Sequence, residues 1–487
     1  MTSLFRLLLL SIHRCSIVIV MILLSTVPLT SSSVSLPSLP KLSPTQCNMP
    51  AQQYNALYAL YTSTNGTGWS SKCNNWVFSS TNPDYSAPCT GWNGITCNSQ
   101  CNVTVLNLPH CQLTGTIPSQ LESLTNMQLL YLFSNSLTGT IPSQLGSMTS
   151  LVNLDLDSNS LTGTIPSQLG NMTSMKGLFL YSNSLAGTIP SQLGNMTSMT
   201  RLYLHSNSLT GTIPSQLGSM TSAINLYLYS NSLTGTIPSQ LGYMANMKNL
   251  YLFSNSLTGT IPSELAYMTN MMQLILDDNS LTGTIPSELI NCNSLLYLYL
   301  QDNNLDGSVP TSILTLPQLE GINLSNNQLL SGDITSMFSS NTSKSLTYVI
   351  MTSMSLIGSL PSSLFSLPNL NTLVISSNCI TGTLSSSICE STSLSSLILD
   401  GVGVGSSCSS SRGSRSSFHG YIPSCLFSMP KLSTLHLAGN GLIGTLPEIS
   451  ANSSLTTLSL TSNRLTGIRL TVHTSIYNHT SLIKLRY

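Results

Sequence analysis

The chain has 487 residues, only 6% of them are charged, and its 15 Lys and Arg balance its 15 Asp and Glu. A typical soluble domain carries about 25% charged residues, so Ser, Thr and Asn must supply most of this polar surface. The lack of a basic field argues against nucleic-acid binding, and the 41% hydrophobic content excludes a charged, disordered chain.

The N-terminal segment is predicted to direct export. Apolar runs within residues 7–24 are interrupted by His13 and Arg14, and small residues follow. This pattern is typical of a cleaved signal peptide over residues 1–30, followed by a Ser/Pro-rich linker over residues 31–46. The alternative is an uncleaved signal anchor, because the apolar stretch is long enough to span a membrane. Both alternatives predict a secreted or cell-surface protein.

Twelve cysteines, unevenly distributed, indicate disulfides and an oxidising compartment. Half of them lie in or next to residues 47–101, which are predicted to form an N-terminal disulfide cap. The spacing leaves the connectivity open, because six cysteines allow many pairings. The disulfide candidates are Cys47, Cys73, Cys89, Cys97, Cys101 and Cys111.

Residues 102–487 form a repeat array. The glycine of an L-x-G motif recurs every 24 residues from Gly115 to Gly307, and looser copies continue to Gly467. The unit that begins at Leu151 reads LVNLDLDSNSLTGTIPSQLGNMTS. About fifteen such units fit the array, and this period and leucine pattern indicate a solenoid.

Each position of the unit has a predicted role. Leu154 and Leu156 alternate with a polar residue, so a short strand turns both leucines inward. Asn159 is expected to bond the backbone of adjacent turns and to form a ladder with its equivalents. Gly163 allows close backbone packing, and Pro166 ends the second strand. Because one unit cannot bury its apolar face alone, stacked units share a continuous core.

This unit resembles the plant-type extracellular leucine-rich repeat, L-x-x-L-x-L-x-x-N-x-L-x-G-x-I-P-x-x-L-x-x-L. Residues 47–101 are similar to the cap of such arrays through Trp69, Trp76 and the segment 89–97. The resemblance implies an α/β fold: a curved, right-handed leucine-rich repeat solenoid with a parallel sheet on its concave side. It also implies 3-10 or irregular segments on the convex side and a helical N-terminal cap. The family includes receptor-like protein ectodomains and polygalacturonase-inhibitor-like proteins.

Two segments depart from the period. The step from Gly382 to Gly420 is 38 residues instead of 24, and its Ser/Gly-rich excess is predicted to be a flexible loop insertion at 400–417. The alternative is that this insertion contacts a partner. No cysteine follows Cys425 while a further repeat begins at 481–485, so we expect the C-terminal cap to be absent. A missing membrane span or kinase beyond this end is the alternative.

The sequence contains no catalytic motif, so the prediction is that the protein is not an enzyme. Phosphate-loop, zinc-protease, kinase and nucleophile-elbow signatures do not occur. The Gly-Val repeat at 401–405 lacks the lysine of a phosphate loop, and the seven histidines are scattered. Neither a cofactor nor a metal is therefore expected. His205 is expected at the surface, and Cys292 is expected to be an inert, buried thiol.

The candidate ligand-binding surface is an aromatic stripe on the concave face. Most outward positions between Tyr131 and Gln301 are Tyr or Phe, although aromatic residues make up 6% of the chain. Strands about 4.8 Å apart would align these rings as a continuous, exposed ridge. The alternative is that duplication copied a tyrosine that merely favours strands. The candidates are Tyr131, Phe133, Phe179, Tyr181, Tyr203, His205, Tyr227, Tyr229, Tyr251, Phe253 and Tyr299.

Other surface features are few. An acidic patch of Asp277, Asp278 and Asp302 is expected to be solvated. Thr-Gly-Thr motifs predict a flat array of outward hydroxyls about 7 Å apart along each strand, which resembles the surfaces of ice-binding solenoids. The candidate contacts for an acidic sugar are Lys176, Arg201 and Lys248.

Eight Asn-x-Ser/Thr sequons fit an exported chain. A glycan on Asn323, which is expected on the concave face, would limit binding to the repeats before it. The other glycosylation candidates are Asn65, Asn102, Asn171, Asn195, Asn341, Asn452 and Asn478.

The sequence thus predicts an extracellular recognition module that binds a protein or peptide, in receptor-like signalling or enzyme inhibition. The alternative function is binding of a polysaccharide or of ice through the threonine ladder. No nucleic-acid partner is predicted, and a membrane is predicted only through the signal anchor or a missing C-terminal span.

Overall fold

The computed structural model describes residues 47–79, 81–405, 408, 418–446, 449 and 453–466. The predicted signal peptide and linker, most of the insertion, the C-terminal repeat, Asn452 and Asn478 lie outside these residues. Within the described part of the chain, no helix is long and apolar enough to cross a membrane.

One strand from the N-terminal cap and one from each repeat form a sheet of sixteen strands, called the large sheet below. The first two strands pair antiparallel, and all later neighbours pair parallel in matched register, so that Leu226 lies opposite Leu202 and Leu250. The predicted solenoid is confirmed. The strands are Ile95–Cys97, Val103–Asn107, Leu129–Tyr131, Asn153–Asp155, Gly177–Phe179, Arg201–Tyr203, Asn225–Tyr227, Asn249–Tyr251, Gln273–Ile275, Tyr297–Tyr299, Gly321–Asn323, Tyr348–Ile350, Thr372–Val374, Ser396–Ile398, Thr434–His436 and Thr457–Ser459.

A second set of strands carries the Thr-Gly-Thr motifs and forms smaller parallel sheets. An eight-stranded sheet contains Ala186–Thr188, Ser208–Thr212, Ser232–Thr236, Ser256–Gly259, Ser280–Gly283, Asn304–Ser308, Leu329–Asp333 and Ser355–Ile357. A two-stranded sheet contains Thr114–Thr116 and Ser136–Thr138. A four-stranded sheet contains Gly382–Thr383, Phe418–Gly420, Gly441–Gly444 and Arg464–Leu465.

Short helices complete each turn. Proline stands immediately before most of them in an extended conformation, as Pro166 does before Ser167–Asn171, because its fixed φ suits the approach to a helix. The remaining 3-10 helices are Gly66–Gly68, Ser119–Ser123, Ser143–Ser147, Ser191–Asn195, Ser215–Ser219, Ser239–Tyr243, Ser263–Tyr267, Ser287–Asn291, Thr311–Thr315, Ser386–Glu390 and Ser424–Phe427. The α-helices are Ala51–Ser63, Ala87–Thr90, Ile334–Met337 and Ser362–Phe365.

The core is a continuous stack of buried leucines with an asparagine ladder beside it. Leu154, Leu156 and Leu161 are fully buried, as are their equivalents in neighbouring repeats. Asn159 Nδ2 donates to the carbonyls of Leu132 and Leu156 at 3.0 and 3.1 Å. Its Oδ1 accepts from the Leu137 amide at 3.0 Å. Each ladder asparagine therefore joins two turns of the solenoid through otherwise unpaired backbone groups.

The N-terminal region covers the first repeat with one helix, aromatic rings and three disulfides. The side chain of Gln53, in the helix Ala51–Ser63, accepts from the Val103 amide at 2.9 Å and donates to Asn102 at 2.7 Å. The rings of Trp76 and Trp92 stack with centroids 5.2 Å apart. The disulfides are Cys47–Cys101, Cys73–Cys111 and Cys89–Cys97.

The predicted flexible insertion at 400–417 is wrong for residues 400–405, which belong to the solenoid. Val402 is fully buried, and its amide donates to Asn440 Oδ1 at 3.1 Å. The Gly405 amide donates to the carbonyl of Asn378 at 2.7 Å. Valine here takes the place of an inward leucine, so the segment is anchored by burial. The disulfide Cys389–Cys425 spans the insertion, and Cys379–Cys408 joins a residue within the insertion to the repeat before it.

Candidate ligand-binding surface

Parallel register brings equivalent aromatic side chains side by side on the outer face of the large sheet. Tyr203, Tyr227 and Tyr251 occupy paired positions on three successive strands. Their ring centroids lie 4.3 and 4.4 Å apart, with interplanar angles of 8° and 4°. Neighbouring strands are separated by a similar distance, so each ring fits flat against the next one.

A second ladder of rings runs parallel to the first, two residues further along each strand. Tyr181, His205, Tyr229 and Phe253 stack in order with centroid separations of 4.5, 4.1 and 4.3 Å. We call the two ladders together the aromatic platform. It comprises Phe179, Tyr181, Tyr203, His205, Tyr227, Tyr229, Tyr251 and Phe253.

The prediction that His205 lies exposed at the surface is wrong. Only 8% of this residue is exposed, because the rings of Tyr181 and Tyr229 cover both of its faces. Burial lowers the pKa of His205 to about 3, so the imidazole is neutral at physiological pH. The Tyr229 hydroxyl lies 3.4 Å from its Nε2. His205 therefore acts as a polar member of the ring stack.

The prediction of a continuous, exposed ridge is also wrong. Asp155 and Asp157 separate the platform from Tyr131 and Phe133, and Ile275 with its neighbour Asp277 separates it from Tyr299. The rings bury their faces against one another, so that Tyr227 and Tyr251 are buried. The platform therefore does not present the flat faces of these rings to solvent.

Amide side chains on the next strand form hydrogen bonds with the tyrosine hydroxyls. Asn225 Nδ2 donates to the Tyr203 hydroxyl at 3.0 Å, and the Tyr251 hydroxyl donates to Gln273 Oε1. Burial raises the pKa of Tyr203 and of Tyr227, and it raises the pKa of Tyr251 to about 12. These hydroxyls therefore stay protonated, and the Tyr203 hydroxyl, which accepts from Asn225, still has a proton to donate.

The N-terminal border of the platform is a pair of carboxyl groups that interact with each other. Burial, together with hydrogen bonding and charge repulsion from Asp157, raises the pKa of Asp155. Asp155 is half-buried and Asp157 is buried, and two carboxyl groups that interact in this way favour sharing one proton. The charge of Arg201 acts in the opposite direction on Asp155, and its guanidinium also lies 5.5 Å from the centre of the Phe179 ring.

At the C-terminal border, the predicted solvated acidic patch is wrong for one of its members. Asp278 is exposed and Asp302 is half-buried, accepting from Asn326 Nδ2 at 2.7 Å. Asp277, in contrast, is only 9% exposed. Burial, with repulsion from Asp302 and Asp278, raises the pKa of Asp277 to about 7. The outward position of Asp277 in the repeat predicts exposure, and its burial is a property of the folded sheet.

The threonine surface is a groove rather than the predicted flat array. Both threonines of the motif are exposed, as Thr210 and Thr212 are, but adjacent strands are offset by two residues, so that Thr212 lies opposite Thr234. The second threonine of each unit lines a groove of about 2370 Å³ together with the Ile-Pro-Ser-Gln that follows it, from Thr116 to Glu288. The repeated T-I-P-S-Q was the sequence signal for this groove.

The sequon asparagines differ in accessibility. Asn65, Asn171, Asn195 and Asn341 are exposed. Asn102 is half-buried and hydrogen-bonded to Gln53. Asn323 is buried, and its Oδ1 accepts from the Ser325 amide at 3.1 Å. A glycan on Asn323 would therefore require that strand to open.

Cys292 is the free cysteine among the described residues and is fully buried. Burial raises the pKa of its thiol to about 11.

Lys176 and Lys248 are exposed. Within the described ranges, no group of three or more His, Cys, Asp or Glu residues could hold a metal ion.

Comparisons with known proteins agree on one family. A model described as "Leucine rich repeat" matches residues 149–209 and 269–329, and a second leucine-rich repeat model matches 102–124, 126–148 and 246–268. A probable leucine-rich repeat receptor-like serine/threonine-protein kinase of Arabidopsis thaliana is 47% identical over 49 residues, which is 10% of this chain and 6% of that protein.

Solved structures match over most of the chain. The PEPR1–AtPEP1 crystal structure aligns with a TM-score of 0.71 and 29% identity, covering 85% of this chain and 59% of that one. The Arabidopsis receptor kinase HAESA, in complex with the peptide hormone IDA and the co-receptor SERK1, aligns with a TM-score of 0.50 and 27% identity. That alignment covers 85% of this chain and 86% of the HAESA chain. The chain spans less than two thirds of the PEPR1 chain and of the receptor-like kinase that it matches.

Proposed function

We propose a binding function from the premise that this chain belongs to the plant-type extracellular leucine-rich repeat family. In this proposal the aromatic platform binds a peptide or an extended protein segment, in receptor-like signalling or enzyme inhibition. The observation that carries it is the pair of stacked ring ladders on the open face of the large sheet. The HAESA structure, which holds a peptide hormone, supports a peptide as ligand.

The platform has the physical properties of a peptide-binding surface. Its rings are already ordered by stacking, so little side-chain entropy is lost when a ligand binds. Ring edges offer apolar contact, and protonated tyrosine hydroxyls offer hydrogen bonds to peptide carbonyls. The five disulfides require an oxidising compartment, which fits an extracellular or cell-surface protein.

A double substitution tests the platform. We expect Tyr203→Ala with Tyr227→Ala to weaken peptide binding at least tenfold, or about 1.4 kcal/mol, because it removes two adjacent rings. Unbiased 15-residue peptides would be selected on the wild-type protein, and their dissociation constants measured by biolayer interferometry.

Tyr243→Ala with Tyr267→Ala is the matched control, because these tyrosines are each 61% exposed and end 3-10 helices outside the platform. Its affinities should equal those of the wild type. Equal affinity in the platform variant, with its melting temperature retained, would show that the ring stack serves only the fold.

A second candidate function is binding of a neutral polysaccharide along the threonine groove. The groove repeats the same hydroxyl, proline and amide groups in each turn, and its lining is uncharged from Thr116 to Gln240. A linear neutral glycan has matching periodic hydroxyls. The concave lining favours a polymer over the flat face of an ice crystal.

The test of this candidate is Thr212→Trp with Thr236→Trp, which would fill the groove. Loss of binding to neutral linear glycans on an array would support the groove, provided that the platform variant binds them normally. Thermal hysteresis, measured on the same samples, would instead favour ice binding.

A further inference from the structure

The C-terminal border of the aromatic platform contains two buried acceptors that point to a specific ligand group. Asp277 and Gln301 occupy, in the next two repeats, the position that Phe253 occupies in the second ladder. Asp277 is 9% exposed and Gln301 is 5% exposed. Asp277 Oδ1 and Gln301 Oε1 are both buried, and neither accepts a hydrogen bond from any residue that the structure describes.

We infer that Asp277 and Gln301 form a subsite for a basic side chain, arginine or lysine, of the bound peptide. The inference rests on the proposed peptide-binding function and adds the charge of one ligand residue to it. Buried acceptors are normally paired with donors, and a guanidinium group carries several donors in a plane, which suits two acceptors on neighbouring turns.

The surrounding charges favour a cation. Asp278 and Asp302 act on Asp277 as neighbouring negative charges, and Tyr299, which also interacts with Asp277, is a buried phenol. A basic group would therefore be attracted by Asp278, by Asp302 and by the ionised form of Asp277, which its charge would favour. It would also lie beside the edge of the aromatic platform, where the stem of an arginine or lysine can pack.

The N-terminal border of the platform does not favour a cation in the same way. Asp155 and Asp157 bond to each other, and Arg201 supplies a positive charge nearby. The two borders are therefore chemically different, and a basic residue would give a peptide one orientation along the sheet.

The test uses small probes, so it does not depend on finding a peptide. The protein would carry 13C-labelled isoleucine methyl groups, and Ile275, two residues before Asp277, would report binding by NMR. Arginine amide and its neutral isostere, citrulline amide, would each be titrated into the wild type, Asp277→Asn and Asp278→Asn. We expect saturable shifts with arginine amide in the wild type and in Asp278→Asn, and at least a tenfold weaker interaction in Asp277→Asn.

A second variant, Gln301→Met, keeps the volume of the side chain without its acceptor and should weaken arginine amide at least threefold. Equal shifts with citrulline amide, or unchanged binding in Asp277→Asn, would overturn the subsite. Saturation by Ca²⁺ at Ile275 in place of arginine amide would overturn the assignment to a basic side chain. The Tyr203→Ala, Tyr227→Ala variant should still bind arginine amide, which separates failure of the subsite from failure of the platform.

Discussion

At the scale of single residues, the ladder asparagines have a role that no other side chain of the repeat performs. Asn231 donates to the carbonyls of Leu204 and Leu228, both at 3.1 Å, and accepts from the Leu209 amide at 3.0 Å. These backbone groups face the interior where the chain turns, so water cannot replace the amide. The side chain thus satisfies two turns of the solenoid at once.

We expect Asn231→Ala to lower the free energy of unfolding by about 3 kcal/mol, because it leaves several buried backbone groups unpaired. Urea denaturation followed by tryptophan fluorescence and circular dichroism would measure it. The control is Asn246→Ala, whose exposed amide makes one bond, to the Thr221 carbonyl at 2.9 Å. Equal losses in the two variants would contradict the role of the ladder.

His205 predicts an acid-sensitive ring stack. Its folded pKa of about 3 lies below the ordinary 6.5, so its stabilisation is complete above pH 6.5 and is lost as the pH falls toward 3. Relative to His205→Phe, the wild type should lose up to about 1.4 kcal/mol per pH unit in that window. Denaturation at pH 4, 5 and 7 would measure the difference, with the exposed His110→Phe as control. Parallel pH curves for wild type and His205→Phe would contradict the prediction.

The exposure of single residues was the least predictable property. The position of His205 and Asp277 on the outer face of a strand follows from the alternation of side chains. Their burial does not, because it depends on the side chains that neighbouring repeats place beside them, such as the Tyr181 and Tyr229 rings against His205. The asparagine ladder was predictable, since its partners are backbone groups that every repeat supplies.

At the scale of elements, the period located the strands, while departures from it were harder to place. The segment 400–405 was predicted as a loop because it belongs to the Ser/Gly-rich excess over the 24-residue period. The offset between Thr212 and Thr234 also lies outside a one-dimensional pattern, since it depends on how neighbouring strands tilt. The groove that results was therefore not predicted, although the T-I-P-S-Q residues that line it recur in the sequence.

The disulfide Cys389–Cys425 connects two 3-10 helices across the insertion. Replacing both cysteines by serine should destabilise the adjoining repeats by about 3–4 kcal/mol, because the closed loop is long. Removal of Cys89–Cys97, separated by 8 residues, should cost about 2.5 kcal/mol on the same scale. Hydrogen exchange measured by mass spectrometry would locate both effects. Loss of protection at the aromatic platform in the first variant would contradict a local role.

At the scale of the whole molecule, near-identical repeats make the solenoid adjustable in length. Five strand steps separate Asp155 from Ile275 in the large sheet, or about 24 Å. Each repeat contacts only its neighbours, so the removal of one unit leaves equivalent interfaces behind. The borders of the platform then move closer together without a change in either of them.

Deletion of residues 216–239 should therefore yield a folded protein whose platform is shorter by about 4.8 Å. A peptide that spans the platform should lose at least about tenfold in affinity, while arginine amide should bind Asp277 as in the wild type. Circular dichroism, biolayer interferometry and the isoleucine methyl titration would show this. Unchanged peptide affinity would mean that the ligand contacts only part of the platform.

The sequence identity of the repeats also bears on how the chain finds its fold. A strand such as Asn225–Tyr227 can dock against almost any other repeat with equivalent contacts. A folding nucleus in the middle of the array can therefore pair repeats that are not neighbours in sequence. The disulfide-closed segment Cys47–Cys111 differs in sequence from every later turn. If folding starts at this segment, the first repeat has one defined partner, and each folded repeat then provides the surface on which the next one docks. We expect correct folding of this chain to be vectorial, from its cap outward.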